Sequence, residues 1–253
     1  MSKRNFLKIF LPIACCLVFG LLIKEPQAQI LLGPQNSVIG PNDLTLIWSS
    51  KSYVPPQYQG KALPSRGSKI TVAALPVKKL TVNPETYYYN WVLDGDIAGY
   101  ANGRGNISFI FTASAPGNSA HQVELAILNS EGFVLNKYAV SIPIVEPQAV
   151  LWQSETGYAA KDTFVTSPGR TINFTAVPLF FNIKSPADIN FDWYFADQQL
   201  TSPDQKDADK LSLKIPAGEL AQSLIKTLKV ILTNKNDRLQ QISNVLNIEI
   251  KNF

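Results

Sequence analysis

Two carboxylates flank a glycine in Asp94-Gly95-Asp96, three more crowd Asp204-Gln-Lys-Asp207-Ala-Asp209, and the single histidine is His121. Glycoside hydrolysis needs two carboxylates about 5 to 10 Å apart in one cleft, one of them held in apolar surroundings. Aspartates at turn tips are solvated and local, so Asp94-Gly95 is read as a turn former. Acidic loops of extracellular modules bind calcium at about 0.1 to 1 mM, which makes Asp204, Asp207 and Asp209 the calcium candidates. Their string lacks the glycine and terminal glutamate of an EF-hand loop, and Lys206 and Lys210 interrupt it, so no metal is assigned. A lone histidine builds neither a zinc site nor a triad, and no G-x-S-x-G elbow occurs. The expectation is a chain with no catalytic residues and no cofactor, not an enzyme.

Aromatic residues offer binding chemistry instead. Tyr53 and Tyr58 bracket Pro55-Pro56, and Tyr87, Tyr88 and Tyr89 run into Trp91. Exposed Tyr and Pro make rigid, amphipathic contact surface at small entropic cost, suited to glycan rings or to another protein. These five tyrosines are the binding candidates. The competing reading points alternate tyrosines into a core and makes the Pro-rich loop a cap on the fold.

Composition narrows the partners. Of the 253 residues 45% are hydrophobic and 17% charged, with a formal charge of +4, but four of the 23 basic residues and one of the 19 acidic ones fall within residues 1–28. Residues 29–147 carry eight basic and seven acidic side chains and residues 148–253 eleven of each, a balance that speaks against nucleic-acid binding. Lys78-Lys79 is too short to form a basic patch. Both cysteines and the methionine also lie in the first 28 residues, so the body must be held by core packing and not by disulfides. There, a basic start is followed by an uncharged run, Ile9 to Ile23, the pattern of a signal peptide. A cut after Ala28 would place Pro26 where a small residue is preferred, which leaves an uncleaved N-terminal membrane anchor as the alternative. Either way the body is expected to be exported, to the extracellular side or the cell envelope.

An internal repeat positions all of these residues. Gly67-Ser-Lys-Ile70-Thr-Val72-Ala-Ala74-Leu-Pro76 returns as Gly169-Arg-Thr-Ile172-Asn-Phe174-Thr-Ala176-Val-Pro178, and Asn90-Trp91-Val-Leu93 as Asp192-Trp193-Tyr-Phe195, both 102 residues on. Leu46-Ile-Trp48 is matched to Val150-Leu-Trp152, Tyr53 to Tyr158, Val123 to Asn129 with Leu228 to Asn234, and Val140 to Ile144 with Leu246 to Ile250. Each copy shows period-2 alternation, the mark of half-buried strands. Six or seven strands per copy, with turn signals such as Asp94-Gly95 and Ser130-Glu131-Gly132 between them, predict a β-sandwich. The expected domains are a leader, 1–28, and two sandwiches, 29–147 and 148–253. They join near Val145-Glu-Pro147, a junction short enough to imply a semi-rigid tandem.

The segments Tyr89-Asn-Trp91-Val-Leu-Asp94-Gly95-Asp96 and Gln122-Val123-Glu-Leu125-Ala-Ile127-Leu-Asn129-Ser130-Glu-Gly132 resemble the tryptophan strand and the Asn-Ser-x-Gly turn of polycystic-kidney-disease (PKD) type and related bacterial immunoglobulin-like domains. The resemblance spans residues 40–145 and more faintly 149–253, where Ala196-Asp197 replaces Asp94-Gly95. It implies extracellular spacing, adhesion or docking, and no catalytic residues. The expected fold is thus all-β, two tandem immunoglobulin-like (PKD-like) β-sandwiches after an N-terminal hydrophobic leader. The expected function is a structural, adhesive or docking module of the envelope or surface, with glycan binding through the Tyr/Pro loops as the alternative. Its partner would be a protein or glycan at the cell surface, and a membrane only through an uncleaved leader.

Overall fold

The computed structural model describes residues 40, 43–77, 83–200 and 207–252. The leader, Lys78-Lys79 and Asp204 lie outside the described residues. Among those described, no helix is long and apolar enough to cross a membrane.

The first half is built from β1 (Leu44–Ser50), β2 (Lys69–Pro76), β3 (Tyr88–Leu93), β4 (Asp96–Ile97), β5 (Gly103–Arg104), β6 (Ser108–Thr112), β7 (Ser119–Leu128) and β8 (Val134–Ile144). They form one sheet of order β1-β2-β6 and another of order β4-β3-β7-β8, with β5 also on β3. The second half holds β9 (Gln148–Gln153), β10 (Tyr158–Ala159), β11 (Thr163–Thr166), β12 (Thr171–Leu179), β13 (Ile189–Phe195), β14 (Gln198–Leu200), β15 (Lys210–Lys214), β16 (Leu224–Asn234) and β17 (Asp237–Ile250). Their sheets run β10-β9-β12-β15 and β11-β17-β16-β13-β14. In both halves the facing sheets bury alternate residues, giving two apolar clusters, one around Trp91, Ile70 and Leu125 and one around Trp193, Phe174 and Val230. This is the two-sheet architecture of immunoglobulin-like sandwiches.

Equivalent side chains make equivalent bonds. Trp91 and Trp193 are both buried, and each indole Nε1 donates to a carbonyl fifteen residues on, Asn106 O at 2.9 Å and Ala208 O at 3.0 Å. The amides of Ala74 and Ala176 donate to Ile107 O and Asp209 O, again 102 residues apart. A buried indole without such an acceptor would carry an unmet N–H, which is why both copies keep one.

One sequence match is corrected. Trp48 pairs with Val72, and the residue that pairs with Phe174, the counterpart of Val72, is Gln153 and not Trp152. Trp152 is 41% exposed, because a slip of one residue along a strand transfers every side chain to the other face. Gln153 instead lies buried where Trp48 sits in the first copy, its amide satisfied by Glu155 and by the Thr156 N–H.

The turn joining β3 to β4 has positive φ at Asp94 (53°) and Gly95 (89°), and its counterpart at Ala196 (48°) and Asp197 (63°). Two left-handed residues in a two-residue hairpin loop match the twist of the flanking strands. The second copy reaches this geometry without glycine and carries the strain of an alanine there.

Candidate functional site

The Tyr/Pro loop between β1 and β2 does not stand free. Tyr53 exchanges backbone hydrogen bonds with the second sandwich, its N–H donating to Phe181 O at 2.7 Å and its carbonyl accepting from Phe180 N at 2.7 Å. Its side chain packs against the second apolar cluster. Burial, and secondarily the charge of Asp209, push its hydroxyl pKa above the usual value. Tyr58 meets Phe180 edge to face at 5.8 Å. Phe180 is buried at a φ of 62°, a conformation that costs an aromatic residue energy and that this contact must hold in place. Back on its own module, the loop lays Lys61 Nζ 3.2 Å from the Trp48 ring centroid, a cation–π contact.

Beside this aromatic clamp lies a buried polar one. Gln240, at 2% exposure, donates through Nε2 to Ser65 Oγ at 3.0 Å and to Arg66 O, while its Oε1 accepts from Asn182 N and from Asn234 Nδ2, both at 2.9 Å. Ser65 is itself buried against Ser68. One amide side chain of the second copy thus satisfies polar groups of both copies, and in a dry contact each group left unmet costs about 1 to 3 kcal/mol.

Tyr87, Tyr88 and Tyr89 divide as strand alternation requires. Tyr89 is fully buried and donates to Pro84 O at 2.9 Å, and Tyr87 is buried as well. Burial, helped by neighbouring Tyr87 and Tyr138, pushes the Tyr89 pKa up to about 12. Neither ring can meet a ligand, which corrects the expectation of binding surface at these two positions; Tyr88, 41% exposed, points outward. Tyr53 and Tyr58, half-buried, are committed largely to the neighbouring sandwich.

His121 is 1% exposed. Its Nδ1 lies 2.5 Å from Asp94 Oδ2, and its Nε2 faces the N–H groups of Ser114 (3.3 Å) and Ala115 (3.4 Å). In this set Nε2 is the acceptor of the two N–H groups and Nδ1 is paired with the carboxylate. Asp94 also accepts the Gln122 N–H, so the pair pins the β3–β4 turn to β7. Of the calcium candidates described, exposed Asp207 is engaged by Lys210 Nζ at 2.7 Å, and Asp209 lies near Tyr53. Among the described residues no group of three His, Cys, Asp or Glu side chains is placed to hold a metal ion.

Between the sandwiches an open cleft of about 840 Å³ runs alongside the clamp, lined by Lys51, Lys69 and Tyr53 from the first and by Asn182, Lys184 and Asp188 from the second. Gly67, at a φ of 82°, borders it where an added Cβ would sit 3.1 Å from Asn182 Nδ2, so glycine permits the close approach of the two copies. None of these junction residues other than the tyrosines stood out in the sequence. Gln and Asn read as ordinary surface positions, and the one available signal was Phe180-Phe181, an apolar pair continuing past the alternation of β12.

No family model matches this chain, and no curated protein matches it. Among solved structures it is similar to the three N-terminal domains of the bacteriophage RB49 Highly Immunogenic Outer Capsid protein, with 13% identity, a TM-score of 0.41, and 82% of this chain and 58% of that one covered. It is also similar to a putative membrane anchored protein from Corynebacterium diphtheriae, with 12% identity, a TM-score of 0.30, and 82% and 59% covered. A third likeness is to the FN1–FN3 domains of chicken CNTN1, with 11% identity, a TM-score of 0.30, and 74% and 63% covered. The chain spans about three-fifths of the length of each. By its strand order and paired cores the protein is an all-β tandem of immunoglobulin-like sandwiches.

Proposed function

We propose that this chain is a non-enzymatic, exported protein of the cell envelope or surface, in which two sandwiches joined as one unit serve as a structural, adhesive or docking module. The observation that carries this reading is the junction. The side chains with the most binding chemistry in the sequence, Tyr53 and Tyr58, are spent on holding one sandwich to the next, and the one histidine is spent on a turn. Groups so engaged supply rigidity, and a tandem whose modules keep a fixed relation presents its outer loops and strand edges in a constant arrangement. Placement outside the cytoplasm rests on the pattern of residues 1–28. The partner is a protein or glycan of the cell surface.

The test is protease shaving of intact cells with mass spectrometry of the released peptides and of the mature N-terminus. Recovery of peptides from residues 43–252, with a cytoplasmic control protein left intact, is the expected result. Protection of every such peptide until the cells are lysed would end the surface reading.

A further inference from the structure

We infer that the cleft between the two sandwiches binds an acidic glycan, its carboxylates taken by Lys51, Lys69 and Lys184. Lys51 and Lys69 stand opposite each other where β1 and β2 begin to part, linked by the Lys51 N–H to Lys69 O bond of 3.0 Å. Like charges placed directly across a strand pair repel. Lys184 brings a third ammonium to the same cleft from the other sandwich. None of the three has an ion-pair partner among the described residues. Asp188, the one carboxylate lining the cleft, already accepts the N–H groups of Lys184 (3.0 Å) and Ser185 (3.3 Å). A chain otherwise near neutrality thus sets three ammonium groups against one carboxylate at one concave place, an excess of positive charge that a bound anion would relieve.

The remaining lining favours a sugar acid over a simple ion. Asn182 and Asn236 line the cleft, and their side-chain amides make no hydrogen bond among the described residues; amides pair with hydroxyls as donor and acceptor. Tyr53, half-buried against the second core, also lines the cleft and leaves part of an aromatic side chain there, a surface of the kind sugar rings lie against. A volume of about 840 Å³ is within the range of small-ligand sites and admits several sugar units. Ammonium, amide and aromatic groups together fit carboxylate, hydroxyl and ring face in turn. The inference rests on the surface placement proposed above only for access to such a polymer. Its test uses purified protein, so the failure of one is distinguishable from the failure of the other.

The probe is hexagalacturonate, titrated calorimetrically into the full chain in mild detergent at low salt and at 0.5 M salt, beside neutral maltohexaose and hexaglutamate. Binding of hexagalacturonate that weakens with salt is expected, with neither of the other two binding comparably. The triple variant Lys51→Gln, Lys69→Gln, Lys184→Gln should lose about tenfold in affinity, as expected for three exposed charges. Its melting temperature should equal or exceed that of the parent, because the opposed lysines no longer repel. Lys184→Gln alone, on an exposed loop, gives a smaller loss and serves if the triple variant does not fold. Unchanged affinity in a folded variant, equal binding of maltohexaose, or no binding of hexagalacturonate overturns the inference. Preference for hexaglutamate also overturns it and assigns the cleft to an acidic peptide.

Discussion

The turn Ser65 to Ser68 in the first sandwich and the turn Ser167 to Arg170 in the second are the same structure in two surroundings. In each, the amide of the fourth residue donates back to the carbonyl of the first, and the residue just past the end of β6 or β15 closes on the turn through Ala113 N to Ser68 O or Ile215 N to Arg170 O. Yet Ser65 and Ser68 are fully buried, under Gln240, whereas Arg170 is exposed and Ser167 half-exposed. The comparison teaches that the sandwich supplies the turn for its own needs, while the junction is an addition made by a few side chains of the neighbouring copy. Strand repetition and module joining are therefore separable properties, and mutations should divide them.

The largest expected effect tests the repeated part. Trp91→Ala and Trp193→Ala each remove a buried ring and its indole bond, and each should cost about 3 to 5 kcal/mol in urea unfolding. The two costs should agree within about 1 kcal/mol if the positions are equivalent. Next comes the part that is not repeated. Gln240→Leu removes the partner of the Asn182 N–H and of the Arg66 carbonyl and leaves Ser65 and Asn234 one partner fewer each, and it should cost about 2 to 4 kcal/mol. Ser167→Ala, at the uncovered turn, should stay within about 0.5 kcal/mol. A large loss at Ser167 would erase the distinction between the two turns.

Alkaline titration tests the burial of Tyr89. Its folded pKa, pushed up to about 12, lies above the ordinary tyrosine value of 10.0 because burial disfavours the phenolate. A group raised in the folded state contributes stability that is complete below the unfolded pKa and is lost as pH climbs to the folded one. Stability should therefore fall between pH 10 and 12, by on the order of 2 kcal/mol from this group. Tyr89→Phe, though less stable at neutral pH for want of the bond to Pro84, should flatten that fall in pH-dependent melts. A gain rather than a loss is expected at the paired hairpin turns. Ala196→Gly relieves a left-handed alanine and should raise stability by about 1 kcal/mol, whereas Asp94 already has glycine beside it and its carboxylate bound to His121 and Gln122.

Much of this architecture could be read along the chain, because alternation and a recurring offset of 102 are local signals that strands print directly. The same signals set Trp91 and Trp193 at equivalent positions of the two copies and assigned Asp94-Gly95 to a turn. They failed at Trp152, where matching by residue type overrode strand parity, although Ala149, Leu151 and Gln153 supply the inward face. The clamp was out of reach for another reason. It unites Tyr53 and Ser65 of the β1–β2 loop with Phe180 and Gln240 from two distant segments, and a buried glutamine differs from a solvated one only by what surrounds it. Of the five tyrosines that drew notice as binding residues, Tyr53 and Tyr58 pack against the second half of their own chain, while Tyr87 and Tyr89 are buried in the first core.

The central claim is that the junction is as firmly held as the cores it joins. Amide hydrogen exchange at Tyr53, Phe180 and Asn182 tests it most directly, since these three N–H groups bridge the junction or adjoin it through Gln240. Protection comparable to that of Val72 and Val230 in the strand interiors is the result this account predicts. Exchange of all three at the rate of exposed loops, while Val72 and Val230 stay protected, would contradict it.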